Sequence, residues 1–262
     1  MTRECKRVLQ ENRERPFFMY WAINWPHYPM QGTSKWREHY RDLPHPRDKY
    51  ATFMSSMDEM IGEVLTELDR LGLQDNTIIV FQSDHGHSVE ERAFFGGGNP
   101  GPYRGAKGCL FEGGLRVPSI VRWPDGLPAG EEREAFLVGC DWFPTLASLA
   151  DLELPDVNLD GKDVSEVLLD SNAASPHTEW YWQLGSGPNA QWAVREGTWK
   201  LLGRPRDPRP DRPSDKLGPL FLADLESDPG ELEDQLEQQP EKVKQLRAVR
   251  KRWQESLADP SR

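Results

Sequence analysis

Cysteine is scarce: Cys5, Cys109 and Cys140 are the only three among 262 residues. They are odd in number and widely spaced, so neither a disulfide framework nor a zinc-ligand spacing can be read from them. Long apolar runs are missing too. No stretch approaches the roughly 20 residues that span a bilayer, and no membrane partner is expected. Basic charge is short: 32 Lys and Arg stand against 43 Asp and Glu, for a formal net charge of −11. Nucleic acid is therefore not an expected partner, because phosphates need a basic face. A locally basic pocket in an acidic chain can still hold an anion. The opening MTRECKRVLQENRERPFFMYW does not read as a signal peptide. That stretch reads as the last turns of a helix running straight into a strand. Domains rarely open this way, so an N-terminal part is expected to be lacking. The compartment stays open.

What is present argues for a folded core. Apolar residues make up 37% of the chain and include ten Trp, which supply core area that disordered chains lack. The length suits one large domain plus a small one.

PFFMYWAIN (16–24) is a continuous apolar run bounded by Pro16 and Pro26, the pattern of a strand covered on both faces. Residues 25–47 read as surface loop. Over 48–72, Tyr50, Phe53, Met54, Met57, Ile61, Val64, Leu65, Leu68 and Leu71 fall on one helical face that stops at Gly72. DNTIIVFQSD (75–84) is a second buried strand. Strand, helix, strand predicts a βαβ unit and a parallel sheet. A glycine-rich, irregular block fills 86–116, and VPSIVRW (117–123) reads as a third strand. CDWFPTLASLADL (140–152) predicts a helix begun or kinked near Pro144, and DGKDVSEVLL (160–169) a turn and short helix.

After about residue 172 the pattern changes. EWYWQL (179–184), QWAVREGTWKLL (191–202) and PLFLADL (219–225) read as antiparallel strands, with a mobile loop over 203–218. Residues 240–258 form an amphipathic terminal helix. The expectation is an α/β domain over 1–172 and a smaller antiparallel-sheet subdomain with a terminal helix over 173–262.

Ligands of open parallel sheets sit beyond the carboxyl ends of the strands. NWPH places His27 just past the first run, and SDHGH places Asp84 and His85 just past the second. Each alone is more often a turn residue or helix cap than a ligand. Convergence in one crevice is what gives them weight. Arg104 and Lys107 lie among glycines that let backbone approach a ligand closely, and a Lys there can neutralise an oxyanion. On composition alone, Lys107 reads as a solvated loop residue.

FFMYWAINWPHYP, TIIVFQSDHG and YRGAKGCLFEGGLRVPSIVRWP resemble, in that order and spacing, the sulfatases of the alkaline phosphatase superfamily. AVREGTWKLL and LFLADLESDPGELEDQ resemble that family's C-terminal subdomain. The resemblance covers nearly the whole chain. It implies an alkaline-phosphatase-like sheet flanked by helices and an arylsulfatase-like sulfuric ester hydrolase. Asp84 and His85 would be the second pair of metal ligands. Lys107 would bind a sulfate oxygen, and His27 would bind the sulfate near the leaving oxygen and protonate it. The family metal is usually calcium, which prefers oxygen ligands; an imidazole at position 85 is less typical of it. The expected ligand is a small-molecule or saccharide sulfate ester.

The chain departs from the family in two respects. The nucleophile is a formylglycine made within C/S-x-P/A-x-R, and the residues after Cys5, Cys109 and Cys140 do not fit that motif. The family's Asp-Asp metal pair also belongs to its N-terminal part. The chain therefore reads as the C-terminal portion of a sulfatase, expected to self-associate or pair with an N-terminal half. Two other readings stand beside it: a phosphate or phosphonate monoester hydrolase of the same superfamily, and a non-catalytic anion-binding fragment. His87 reads as a loop residue, and Arg104 and Glu112 receive no chemistry.

Overall fold

The computed structural model describes residues 1–209 and 217–257. Contacts divide them into two compact units: Met1–Asp125 with 207–209, and Gly126–Arg206 with 217–257. Residues 126–172 fall in the second of these units. Residues 126–172 are tied to the later strands by Asp141, which accepts from His177 Nε2 at 2.8 Å, and by Phe136, packed edge-on to Trp182.

In the first unit, helices α1 (Thr2–Asn12), α2 (Ser34–His39) and α3 (Arg47–Arg70) precede a short strand pair. Cys5 and Leu9 of α1 meet Val64 and Leu68 of α3 in one apolar cluster. Polar contacts flank that cluster: Lys6 reaches Glu63 at 2.7 Å and Gln10 reaches Glu67 at 2.8 Å. The α2 residue Trp36 donates to Glu59 of α3 at 2.8 Å. The end of α3 follows from Gly72, whose φ of +70° a residue with a Cβ rarely adopts. Gly72 N–H bonds the Asp69 carbonyl and Leu73 N–H the Leu68 carbonyl, both at 3.0 Å, which satisfies two otherwise orphaned acceptors.

The expected strand over 16–24 is corrected by the structure. The segment is not part of a sheet among the described residues. Phe17, Met19 and Trp21 pack against the α1–α3 cluster together with Ile79, while Phe18 and Tyr20 are 81% and 82% exposed. The run is apolar on both sides but covered on one. The second and third runs do form strands, β1 (Ile79–Gln82) and β2 (Ser119–Arg122). They pair antiparallel, Ile79 opposite Arg122 and Gln82 opposite Ser119. The parallel βαβ unit expected from the strand–helix–strand order is therefore not formed among these residues. A one-turn helix, α4 (Glu112–Leu115), closes the glycine-rich block.

The second unit holds helices α5 (Trp142–Leu149) and α6 (Ser165–Leu169), then a four-stranded antiparallel sheet. Its strands are β3 (Glu179–Leu184), β4 (Gln191–Glu196), β5 (Trp199–Gly203) and β6 (Leu220–Asp224), in that spatial order. The single strand expected over 191–202 is a hairpin. Glu196 pairs with Trp199 across Gly197 and Thr198, and Gly197 takes φ +60°, the left-handed value that two-residue hairpin turns need. Helix α7 (Pro240–Leu257) lays Leu246 and Val249 on Val194, Leu201 and Leu222 of the sheet. The loop expected over 203–218 falls partly on residues 210–216, outside the described residues.

Candidate functional site

β1 delivers the chain to Ser83, whose N–H bonds the Pro118 carbonyl at 3.3 Å, and then to Asp84, His85 and Gly86. Backbone hydrogen bonds hold the turn that follows against the glycine-rich block. Gly86 N–H donates to the Gly114 carbonyl at 3.1 Å, and Gly113 N–H to the Arg104 carbonyl at 2.6 Å. A Cβ on Gly86 would lie 1.9 Å from the Gly113 oxygen. That approach is open only to glycine. Lys107 N–H donates to the His87 carbonyl at 2.9 Å, which fixes Lys107 beside the SDHGH turn.

Asp84 and His85 form a pair. Oδ2 of Asp84 is 3.1 Å from Nε2 of His85. The other ring nitrogen, Nδ1, lies 2.8 Å from the Gly86 carbonyl. A carbonyl only accepts, so Nδ1 carries the hydrogen. In the neutral ring this leaves the lone pair on Nε2, beside the carboxylate. Metal-ligating imidazoles are oriented in this way by a hydrogen bond from the opposite nitrogen. Asp84 is mostly exposed and His85 partly so, with side-chain exposures of 81% and 40%. The pair thus fits one side of a divalent-cation site in chemistry and orientation. No group of three or more His, Cys, Asp or Glu converges in this way among the described residues.

His27 and Lys107 belong to a second cluster, joined through Tyr28 and Glu90. His27 Nδ1 donates to the Tyr28 carbonyl at 2.9 Å and leaves Nε2 outward on an exposed ring. The two rings of His27 and Tyr28 lie 4.0 Å apart. The Tyr28 hydroxyl donates to Glu90 Oε2 at 2.9 Å, and Lys107 Nζ reaches the same oxygen at 3.4 Å. Ser88 Oγ joins at 3.1 Å, and Arg92 holds Oε1 at 3.2 Å. Arg92 also lies over the Tyr28 ring, 4.2 Å from its centre. These donors, Tyr28 first and then Arg92, pull the Glu90 carboxyl down to about 2. Lys107 is thereby brought to Glu90 directly, and His27 lies against Tyr28, which bonds the same carboxylate. No hydrogen bond or ion pair joins His27 or Lys107 to Asp84 or His85 among the described residues.

Sequence reasoning missed Tyr28 and Glu90, and it left His87 as a loop residue. His87 is half-buried, and its Nδ1 is buried without a hydrogen-bond partner. Burial, and secondarily the charge of Arg209, lower its pKa. Arg209 is itself mostly buried; Nε and Nη2 lack hydrogen-bond partners, and Nε lies 3.5 Å from Asp207 Oδ1. Asp207 is fully buried and accepts from Arg104 Nε at 3.1 Å, which ties residues 207–209 into this unit. Spacing could not reveal this. Arg209 lies more than 100 residues from the turn it approaches, inside a Pro- and Arg-rich stretch that reads as solvated loop.

Comparison with known proteins gives the family. The family model described as Sulfatase matches residues 1–152. The chain belongs to the sulfatase family. The model described as N-sulphoglucosamine sulphohydrolase, C-terminal, matches residues 105–259. Arylsulfatase A of Bos taurus is 30% identical over 84% of the chain and 44% of its own length. The N-acetylgalactosamine-6-O-sulfatase of Bacteroides thetaiotaomicron is 29% identical over 94% of the chain and 48% of its own length. The crystal structure of Ps i-CgsB in complex with k-i-k-neocarrahexaose superimposes with a TM-score of 0.84 at 26% identity, covering 96% of this chain and 53% of that one. The chain thus spans about half the length of these relatives. The fold is that of the sulfatases: helices, short strands, a C-terminal antiparallel sheet and a terminal helix. Sulfatases generally use a divalent metal and a formylglycine. No described helix is long and apolar enough to cross a membrane.

Proposed function

We propose that this chain supplies the metal-facing and leaving-group side of a sulfuric ester hydrolase site. Residues 1–172 would correspond to the C-terminal part of the catalytic domain and 173–262 to its smaller subdomain. The observation that carries the reading is the paired orientation of Asp84 and His85, with Nδ1 tied back so that Nε2 sits 3.1 Å from the carboxylate oxygen. These two residues would hold the divalent metal, calcium in this reading. When bound, such an ion supplies positive charge for the sulfate oxygens.

The chain's own groups do the rest. A sulfate ester spreads charge over three oxygens, and its alkoxide leaving group needs a proton. Lys107 neutralises one oxygen by exchanging its 3.4 Å contact with Glu90 for the sulfate. His27, protonated, donates from its outward Nε2 to the leaving oxygen. Glu90 holds Lys107 until the sulfate arrives, and Tyr28 packs against His27. None of the three cysteines lies in the motif that gives formylglycine, so no nucleophilic step is assigned to them.

The substrate class in this reading is a sulfated saccharide. Support comes from the relatives: one is named for N-acetylgalactosamine 6-O-sulfate, and another holds a neocarrahexaose. The test is calorimetric titration of the chain with an aryl sulfate in the presence of Ca2+. Lys107→Ala should weaken binding at least tenfold, while Asp84→Asn should abolish its dependence on Ca2+. Binding that ignores both substitutions would reject the reading. Robust turnover by the chain alone, lost in His27→Ala, would require a nucleophile other than formylglycine.

A further inference from the structure

The second unit contains a groove of about 930 Å³ whose lining includes Arg204, Arg206, Arg247, Arg250 and Lys251 beside Trp192. Among the described residues no Asp or Glu lines it, although the chain carries a net charge of −11. On α7 the basic residues fall at 247, 250 and 251, one stripe of the helix. Elsewhere on that helix the cations are partnered. Arg252 reaches Glu179 at 2.8 Å, Lys244 reaches Glu241 at 4.0 Å, and Lys242 donates to Gln245 at 3.1 Å. On the groove, Lys251 lies 3.6 Å from Glu255, and Arg204 donates to Asn189 at 3.0 Å. Arg206, Arg247 and Arg250 have no carboxylate partner among the described residues.

Arg250 is the most constrained of them. Its guanidinium lies 3.9 Å from the centre of the Trp192 ring, and its Nε is buried without a hydrogen-bond partner. The indole is held in place by Gly203, opposite it in the sheet, where a Cβ would fall 1.9 Å from the ring. Burial, with Arg247 adding to it, lowers the Arg250 pKa. A desolvated guanidinium with an unmade hydrogen bond, next to a second unpaired guanidinium, is destabilising on its own. An oxyanion removes both costs at once, because the planar fork matches sulfate and carboxylate. Arg204 adds a backbone feature: it holds φ +52°, uncommon for a residue with a side chain, at the groove's edge.

We propose that this groove is a second oxyanion-binding site, one that takes a short sulfated oligosaccharide. Its volume is that of a small-molecule site rather than a macromolecular track. Long nucleic acid is disfavoured by the acidic remainder of the chain. The apolar floor of Trp192, Pro205, Pro219 and Leu220 suits the faces of sugar rings, and the arginines suit their sulfates. The choice of a saccharide rests on the sulfatase reading above; the preference for oxyanions does not. A chain anchored here has a raised effective concentration at any other site on the same protein that accepts it.

The experiment is calorimetric titration of the 262-residue chain with a sulfated hexasaccharide, its desulfated counterpart and single-stranded DNA of matched charge, at two salt concentrations. The sulfated sugar should bind, the desulfated sugar should not, and DNA should bind at least tenfold more weakly than the sulfated sugar. Arg247→Gln with Arg250→Gln should lower affinity at least tenfold and flatten the salt dependence. Arg206→Gln, at an exposed position, should lower it about threefold and guards against a folding defect in the double variant. Lys107→Ala and Asp84→Asn should leave at least this binding event intact. Equal binding of sulfated and desulfated sugar, or wild-type affinity in both groove variants, overturns the groove. Loss confined to Lys107→Ala also overturns it, while the sulfatase reading stands. Loss confined to the groove variants upholds it even where the first unit's site fails its own test. DNA binding as tight as the sulfated sugar overturns the saccharide assignment.

Discussion

Nε2 of His85 stands 3.1 Å from Oδ2 of Asp84, and Nδ1 of the same ring is fixed to the Gly86 carbonyl at 2.8 Å. The relationship selects one tautomer and aims one lone pair beside one carboxylate. In the reading proposed above, these two residues at a strand end would form one side of a cation site. They leave most of the six to eight ligands that calcium takes to be filled by water or by groups beyond this pair.

The first prediction concerns that pair. The chain should bind Ca2+ with a Kd in the millimolar range, the weak end of protein calcium sites. Asp84→Asn and His85→Ala should each abolish saturable binding, followed by calorimetry. Glu90→Gln, which leaves the pair untouched, should not. Retention of full affinity in Asp84→Asn would remove the metal assignment.

Glu90 carries the second prediction. Its folded pKa of about 2 lies below the unfolded value of 4.5. As pH falls, the unfolded chain takes up this proton first, so the stabilisation present above pH 4.5 drains away as pH drops toward 2. Tm measured from pH 5 to pH 2 should fall less steeply in Glu90→Gln than in wild type. The same substitution frees Lys107 from its 3.4 Å contact and should tighten aryl sulfate binding severalfold. Parallel Tm curves together with unchanged sulfate affinity would show that Glu90 holds neither Tyr28 nor Lys107.

Glycine supplies a paired prediction. A Cβ on Gly86 would meet the Gly113 carbonyl at 1.9 Å, so Gly86→Ala must displace backbone. The expected loss is about 3 kcal/mol, the upper end for overpacking. Gly62 is exposed within α3, and a methyl group added there would have nothing within 4 Å. Gly62→Ala should stabilise by about 1 kcal/mol, the helix-propensity difference. Urea denaturation of both variants separates the two. A neutral Gly86→Ala would mean that the close approach of SDHG to the glycine block is not needed.

How much of this the sequence carried depends on range. The 3.6-residue spacing of Val64 and Leu68 and the stop at Gly72 set out α3 correctly, because both are local. Helix α7 and the strands β3 and β6 of the C-terminal sheet are legible in the same way, since antiparallel neighbours alternate and turn within a few residues. The hairpin within 191–202 was marked too, by the glycine between Glu196 and Thr198, but a run of β-forming residues on both sides hid it. PFFMYWAIN misled for a different reason. Apolar side chains on both sides of a run predict extended backbone, and 17, 19 and 21 do face the core, but hydrophobicity does not specify which edge the backbone bonds to. At the candidate site, Asp84, His85, His27 and Lys107 are legible because they follow apolar runs or lie among glycines. Glu90 and Arg209 are not, because a carboxylate or guanidinium in a charge-rich loop looks solvated until the partner that desolvates it is known.

The last prediction tests one of those missed residues. His87 has a buried Nδ1 without a partner, and its pKa is lowered from 6.5 mainly by burial and then by Arg209. The folded pKa lies below the unfolded one. The neutral ring therefore adds stability above about pH 6.5, and that contribution is lost as pH falls through the folded value. Removing the guanidinium deletes only the smaller of the two causes. In Arg209→Ala the His87 pKa, followed by the ring-proton shifts in NMR, should rise but stay below the ordinary histidine value. Because the Arg209 charge disfavours the protonated His87 ring, His87→Asn should also remove most of the acid-limb difference between wild type and Arg209→Ala. A His87 pKa that does not move in Arg209→Ala would mean that residues 207–209 do not dock beside the SDHGH turn in solution, and that the buried guanidinium has no part in this site.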